Sequence, residues 1–237
     1  RFANMHLAPI KVNPADLLGT IVPFNAADGK PGQAYFIPAK KKSDKWLIVI
    51  QEWWGLNDNI KMEADQYFKD LGDVNVMAVD MYDGKVAATP DSAMKLMRGA
   101  DMNRMVALIQ GAVKHAGPKA SIYSVGWCFG GMWSLQTAII AGPQAKGSVM
   151  YYGRPESNME KLKSIQCDII GFFGNLDQSP SPAMVNTFEA NMKLAGKNLT
   201  AYKYEAGHGF ANPSNPSYNA AAKADSYAKA IAFLKAH

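Results

Sequence analysis

Cys128 stands in Gly126-Trp127-Cys128-Phe129-Gly130, with a glycine two residues to either side. The apolar run Ser121 to Gly126 ahead of it reads as a strand, and Gly130 to Ile140 behind it reads as a helix. The cysteine therefore occupies a sharp strand-to-helix turn. Such a turn strains the backbone of its central residue and brings strand and helix so close that a side chain at either flanking position would clash; glycine resolves both contacts. The sulfur projects where the positive end of a helix dipole favours an anion, which is a setting for a nucleophile. A nucleophile needs a base within hydrogen-bond reach and a third group that orients the base. Two later strand ends supply them. Gly174-Asn175-Leu176-Asp177 follows the run Asp168 to Phe173, and Ala206-Gly207-His208-Gly209-Phe210 follows the run Leu199 to Glu205. His6, in the N-terminal arm, His115, near a helix end, and His237, at the terminus, lack this strand-end context. Asp80 also ends a strand and is the rival orienter, but it lies upstream of the cysteine. Cys167 precedes an apolar strand and reads as a buried structural thiol.

The elements that must hold these three groups alternate along the chain. Strand-length apolar runs recur at Trp46 to Gln51, Asn75 to Asp80, Ser121 to Gly126, Lys146 to Tyr152, Asp168 to Phe173 and Leu199 to Glu205. Gly19 to Phe24 and Gln33 to Pro38 read as two more strands, joined by the turn residues 28–32 into an antiparallel edge. Helical patterns lie between the strands. Asp58 can cap a helix whose Ile60, Tyr67, Phe68 and Leu71 share one face and which Gly72 ends; a second stretch opens at Thr89-Pro90, breaks near Gly99 and runs to Gly117-Pro118. Further helices fit Pro182 to Leu194 and Ser217 to Lys235, the last with a stripe of Ala220, Ala224, Tyr227, Ala228, Ile231 and Leu234. Alternation of this kind predicts an α/β fold, with a mostly parallel central sheet covered by helices on both faces, and such sheets bind ligands at the carboxyl ends of their strands.

Composition bounds the rest. With 237 residues, 48% hydrophobic and 19% charged, the chain is neither disordered nor a disulfide scaffold, and the absence of repeats or a linker predicts one domain over residues 1–237, with 1–17 as an N-terminal arm. The net charge of +5 is scattered; only Lys40, Lys41 and Lys42 cluster, as a solvated loop, so a nucleic-acid partner is not expected. No apolar run has membrane-spanning length, and no membrane partner is expected. Two cysteines in unlike contexts predict free thiols, which favour the cytoplasm; a leader removed before Arg1 would place the chain in the periplasm or outside the cell. A monomer is expected.

Taken together the motifs resemble the dienelactone hydrolase family of α/β-hydrolases, from about Gly19 to the C-terminus. The order nucleophile, acid, histidine is that of α/β-hydrolases. Gln51-Glu52-Trp53-Trp54-Gly55-Leu56-Asn57 is similar to the family's Q-E-x-x-G-x-N segment, Val79-Asp80-Met81-Tyr82 to its strand ending in an acid and a tyrosine, and Gly126 to Gly131 to its elbow. Asp177 and His208-Gly209-Phe210 match its remaining catalytic loops. The resemblance implies an α/β-hydrolase fold without a large cap domain and a triad of Cys128, His208 and Asp177. It further implies an oxyanion hole from the backbone N–H groups of Phe129 and Trp53, and a glutamate, Glu52, that helps to take the thiol proton when substrate arrives. Neither a metal nor an organic cofactor is implied.

Departures fall at the substrate end. Members acting on dienelactones carry an arginine four residues after the histidine, where this chain has Asn212, and another after the tyrosine, where Asp83-Gly84-Lys85 has none. Lys85 offers a point charge without the bidentate fork. Trp53, Trp54, Trp127 and Tyr82 suggest an aromatic wall around a small apolar or planar acyl group. The expected activity is hydrolysis of a small ester or lactone through a Cys128 acyl-enzyme. Two rivals are carried. One is a non-catalytic small-molecule binder on a hydrolase scaffold, motivated by the missing arginines. The other is a glutaminase-like amidotransferase, whose elbow is also G-x-C-x-G but whose histidine is followed two residues later by glutamate, where Phe210 stands here.

Overall fold

Central strands buried on both faces read as unbroken apolar runs, and together with more exposed edge strands they form one eight-stranded sheet in the computed structural model, which describes residues 9–237. They are β1 (Thr20–Asn25), β2 (Pro31–Ile37), β3 (Lys45–Ile50), β4 (Asn75–Val79), β5 (Ser121–Trp127), β6 (Ala145–Tyr151), β7 (Asp168–Gly174) and β8 (Leu199–Tyr204). Their order is β1-β2-β4-β3-β5-β6-β7-β8. β1 and β2 form the antiparallel edge expected from the turn between them, and β2 meets β4 antiparallel; every other pairing is parallel.

Successive residues of each strand feed opposite faces. Ile48 and Ile50 join a core with Leu108, Ile109, Trp133 and Phe188, beneath α3 (Met102–Ala116), α4 (Phe129–Ala141) and α6 (Pro182–Leu194). Leu47 and Val49 join the other core, with Ile60, Tyr67, Ala230 and Leu234 from α1 (Asp58–Leu71) and α7 (Ala220–Ala236). α2 (Pro90–Arg98) and the five-residue α5 (Met159–Lys163) complete the set. The longest connection between strands, from β4 to β5, carries α2 and α3 as its helices, and among the described residues no connection is long enough for a cap domain over the carboxyl edge.

Local chemistry accounts for the boundaries and for three differences from expectation. α1 is capped by Asn57, whose side chain accepts from the Ile60 N–H at 3.2 Å, while Asp58 is the first helical residue. Gly72, at φ 85°, ends that helix as expected. The break at Gly99 is real, and Thr89 caps α2 reciprocally with Ser92. The buried stripe of α7 is Ala222, Ser226, Ala230 and Leu234, whereas Ala220, Ala224 and Ala228 are exposed. Where alanines occur on every side, the sequence leaves the buried face open and the sheet decides it. α5 spans too few residues to show a helical period and was not expected. His6 and the first part of the N-terminal arm lie outside the described residues. The lysines Lys40, Lys41 and Lys42 are exposed on the loop between β2 and β3.

Candidate active site

The turn after β5 is built by what its glycines lack. A Cβ on Gly126 would lie 1.9 Å from the Gly130 carbonyl oxygen, and one on Gly130 would lie 2.3 Å from the carbonyl oxygens of Ile50 and Gln51. β5, β3 and α4 can approach this closely only without those side chains. Cys128 between them takes φ 57°, a conformation that costs a non-glycine residue energy and that persists where the surroundings enforce it. They do so here. The Cys128 N–H donates to the Tyr151 carbonyl at 3.0 Å, and the Cys128 carbonyl accepts from Gly131 at 2.9 Å. α4 is tied to the sheet below by buried serines: Ser124 donates to Ser148 at 2.8 Å, and Ser134 to the Val149 carbonyl at 2.8 Å. Phe129 opens α4, so its N–H is among those a first helical turn leaves without an intrahelical acceptor.

The loops after β7 and β8 are stitched to one another before they meet the cysteine. Asn175 N–H donates to the Tyr204 carbonyl at 2.7 Å and Leu176 N–H to the Ala206 carbonyl at 3.1 Å. This fixes Asp177 beside His208. One Asp177 oxygen accepts from the Ser179 N–H at 2.9 Å; the other lies 2.7 Å from His208 Nδ1. With the carboxylate ionised, Nδ1 is the donor, and Nε2 faces Cys128 Sγ at 3.0 Å. Sulfur, imidazole and carboxylate form one hydrogen-bonded line from three distant stretches of chain. Burial works against a charged imidazole at His208, but the adjacent Cys128 sulfur and the Asp177 carboxylate outweigh it and hold the histidine well above its ordinary value. Asp80, the rival orienter, is engaged elsewhere: it accepts from Gln33 at 2.7 Å and from the N–H groups of Tyr82 and Gly84. His115 packs against Trp46 and Phe24, and His237 bonds Asp168 at 2.9 Å.

Glu52 lines the same cavity as Cys128. It is 6% exposed, and its carboxylate accepts from Asn212 Nδ2 at 3.0 and 3.2 Å and from Asn59 Nδ2 at 3.4 Å. Burial raises its pKa to about 7, with Asn212 and the nearby His208 pulling the other way. The half-buried Cys167 thiol is pushed up to about 12 by burial and then by the charge of Asp168. Among the described residues no cluster of three His, Cys, Asp or Glu side chains is placed to hold a metal ion.

The cavity over the thiol measures about 590 Å³, and its walls differ from those expected. Trp53 lines it, together with Phe129, Tyr152 and His208; Trp54, Tyr82, Lys85, Trp127 and Asn212 do not. Trp127 precedes the cysteine and so falls on the opposite face of β5, stacked on Tyr151 at 5.7 Å. Trp54 is buried edge-on to Trp53, and the Tyr82 ring lies 5.6 Å from that of Phe129. Lys85 is exposed in a neighbouring hollow with Arg104, and Asn212 is engaged by Glu52. In their place stand Met94, Met97, Arg98, Met102, Met132 and Arg154. The one sequence signal for the first three was an amphipathic helix directly after the β4 loop, and methionines on such a helix look like core.

A nucleophile turn after β5, an acid after β7 and a histidine after β8, at the carboxyl edge of a mostly parallel sheet, define an α/β-hydrolase. Comparison with known proteins narrows this. Residues 33–237 match the model of the dienelactone hydrolase family, and the chain belongs to that family. Protein usf of Aquifex pyrophilus is 28% identical over 214 residues, covering 84% of this chain and 91% of its own. Carboxymethylenebutenolidase 1 of Cupriavidus pinatubonensis is 24% identical over 202 residues, covering 79% and 84%. The solved structure of a dienelactone hydrolase-like promiscuous phosphotriesterase from metagenomic libraries has a TM-score of 0.74 at 24% identity, over 92% of this chain and 98% of its own.

Proposed function

We propose that the protein hydrolyses a carboxylic ester or lactone through a thioester on Cys128. The observation that carries this reading is the unbroken line from Cys128 Sγ through His208 to Asp177, at 3.0 and 2.7 Å. His208 takes the thiol proton and the sulfur attacks the substrate carbonyl carbon. The carbonyl oxygen becomes an oxyanion facing the N–H groups of Phe129 and Trp53, each such donor contributing about 3 kcal/mol to the transition state. The imidazolium then gives its proton to the departing alkoxide, leaving an acyl-enzyme, and water activated by the same imidazole releases the acid. Asp177 holds the imidazole with Nε2 toward the sulfur throughout.

Glu52 acts as a gate on the thiol. A carboxylate titrating near neutrality, held in the same cavity, can take up the thiol proton as substrate arrives and pass it on to His208, and its charge disfavours a thiolate at rest. The names of the relatives support the ester or lactone class. Replacing Cys128 by Ala is expected to abolish turnover of p-nitrophenyl acetate while the far-UV spectrum and Tm stay close to those of the parent. Retained turnover would assign the chemistry to another group.

A further inference from the structure

Burial orders the cavity from floor to mouth. Glu52, Trp53, Phe129 and Tyr152, around the sulfur, are buried; Met94, Met97 and Met132 are half-buried; Met102, Arg98 and Arg154 are exposed. The middle of the cavity is therefore a wall of thioethers contributed by α2 and α4, with a fourth methionine, Met102, opening α3 at the mouth. α2 has only one fully buried residue, Ala93, and its half-buried Met94 and Met97 rest against the adjoining core while also lining the cavity. Methionine is unbranched, polarisable and adaptable, and a wall of several can conform to a flexible apolar chain. About 590 Å³ lies in the range that encloses a drug-sized molecule, far more than a compact lactone fills.

At the mouth stand two guanidinium groups. Arg98 directly follows Met97 at the end of α2, and Arg154 lies beyond β6 on the loop that leads into α5. Neither takes part in an ion pair or a hydrogen bond among the described residues, whereas Arg104 nearby is saturated by Asp28 and Asp83. Two unpaired guanidiniums, from two different connections, bordering one apolar cavity are suited to an anion. We infer that the site takes amphiphilic esters, with the reacting carbonyl on the floor, an extended apolar chain along Met94, Met97 and Met132, and a terminal anion between Arg98 and Arg154.

The inference rests on the proposed hydrolysis and is tested with three p-nitrophenyl esters: the acetate, the octanoate and the half-ester of suberic acid. In the wild type kcat/KM rises from acetate to octanoate, by up to about fourfold per methylene for full burial, and rises again for the suberate half-ester. Replacing Met94 and Met97 together by Ala lowers the octanoate-to-acetate ratio at least about tenfold. Replacing Arg98 and Arg154 together by Ala brings suberate to parity with octanoate and removes the salt dependence of its preference. Acetate equal to or better than octanoate in the wild type, or ratios unmoved by the substitutions, would overturn the inference. Protection of Cys128 from iodoacetamide by free suberate, octanoate and acetate gives a readout that needs no turnover. Protection in that order with every ester inert would sink the hydrolysis reading and keep this one; turnover without that order would do the reverse.

Discussion

The side-chain amide of Asn212 donates to both carboxylate oxygens of Glu52, at 3.0 and 3.2 Å, across 160 residues of sequence. In dienelactone-hydrolysing relatives an arginine is expected at this position; here an uncharged amide holds the glutamate. The exchange matters electrostatically. A neutral donor lowers the pKa of a buried carboxylate less than a cation does, so burial, the larger effect, carries Glu52 up to about 7.

Asn212→Leu removes the largest stabiliser of the ionised glutamate without changing the net charge. Since that bond lowers the Glu52 pKa, its loss raises the value further. If ionised Glu52 is needed to receive the thiol proton, the acidic limb of the kcat/KM profile, expected near pH 7 in the parent, moves to higher pH in the variant. An unmoved limb would separate Glu52 from the proton transfer.

The same carboxylate makes stability depend on pH. Its folded pKa of about 7 lies above the ordinary 4.5, so folding favours the protonated form. The contribution is fully present below about pH 4.5 and is lost as the pH rises through 7. Glu52→Gln keeps an acceptor for Asn212 and never ionises. The variant is expected to match the parent at pH 4 and to exceed it by an amount on the order of 3 kcal/mol at pH 8, with the difference growing between those limits. Denaturant midpoints at several pH values measure it, and a constant difference across the range would contradict the assignment.

Asp177→Asn tests the other end of the imidazole. The Asp177 bond helps to raise the His208 pKa against burial, so the substitution lowers the midpoint of the His208 ring protons followed by NMR. It also permits the wrong tautomer, with Nε2 protonated toward the sulfur. Ester turnover is expected to fall by about 10³- to 10⁴-fold, the scale that loss of an orienting aspartate costs in a triad. A fall under tenfold would assign orientation to another group.

What could be read before any coordinates follows from how each feature is encoded. The central strands were legible because doubly buried strands must be apolar throughout, the edge strands because turn residues bound them, and Cys128, Asp177 and His208 because each follows a strand in a polar or glycine-bearing turn. The cavity walls were not legible. Whether Trp127 faces the cavity or the far core depends on which side of β5 the turn begins, and whether Met94 and Met97 face core or cavity depends on how tightly α2 docks. Neither is a local property of the sequence. Arg98 and Arg154 were missed for a related reason: both lie in connections whose course only the packed sheet determines, so the absence of arginine at position 212 was visible and its presence elsewhere in the cavity was not.

Tyr152 offers a test in which the sign is the argument. It is 1% exposed, takes φ 33° at the end of β6, and packs its ring 5.2 Å from His208 and 5.2 Å from Phe210. Its hydroxyl has no hydrogen-bond partner among the described residues. A buried, unpaired hydroxyl has lost its water without replacement, so removing it relieves a cost where removing a bonded one would create one. Burial, with Glu52 and Cys128 nearby, also keeps the phenol neutral, so no charge is lost with it. Tyr152→Phe keeps both ring contacts and is expected to stabilise the fold by about 1 kcal/mol, which raises Tm by roughly 2–4 °C in a chain of this size. A drop of similar size would mean that the hydroxyl is bonded in solution, and would place a donor or acceptor beside the imidazole that the present geometry lacks.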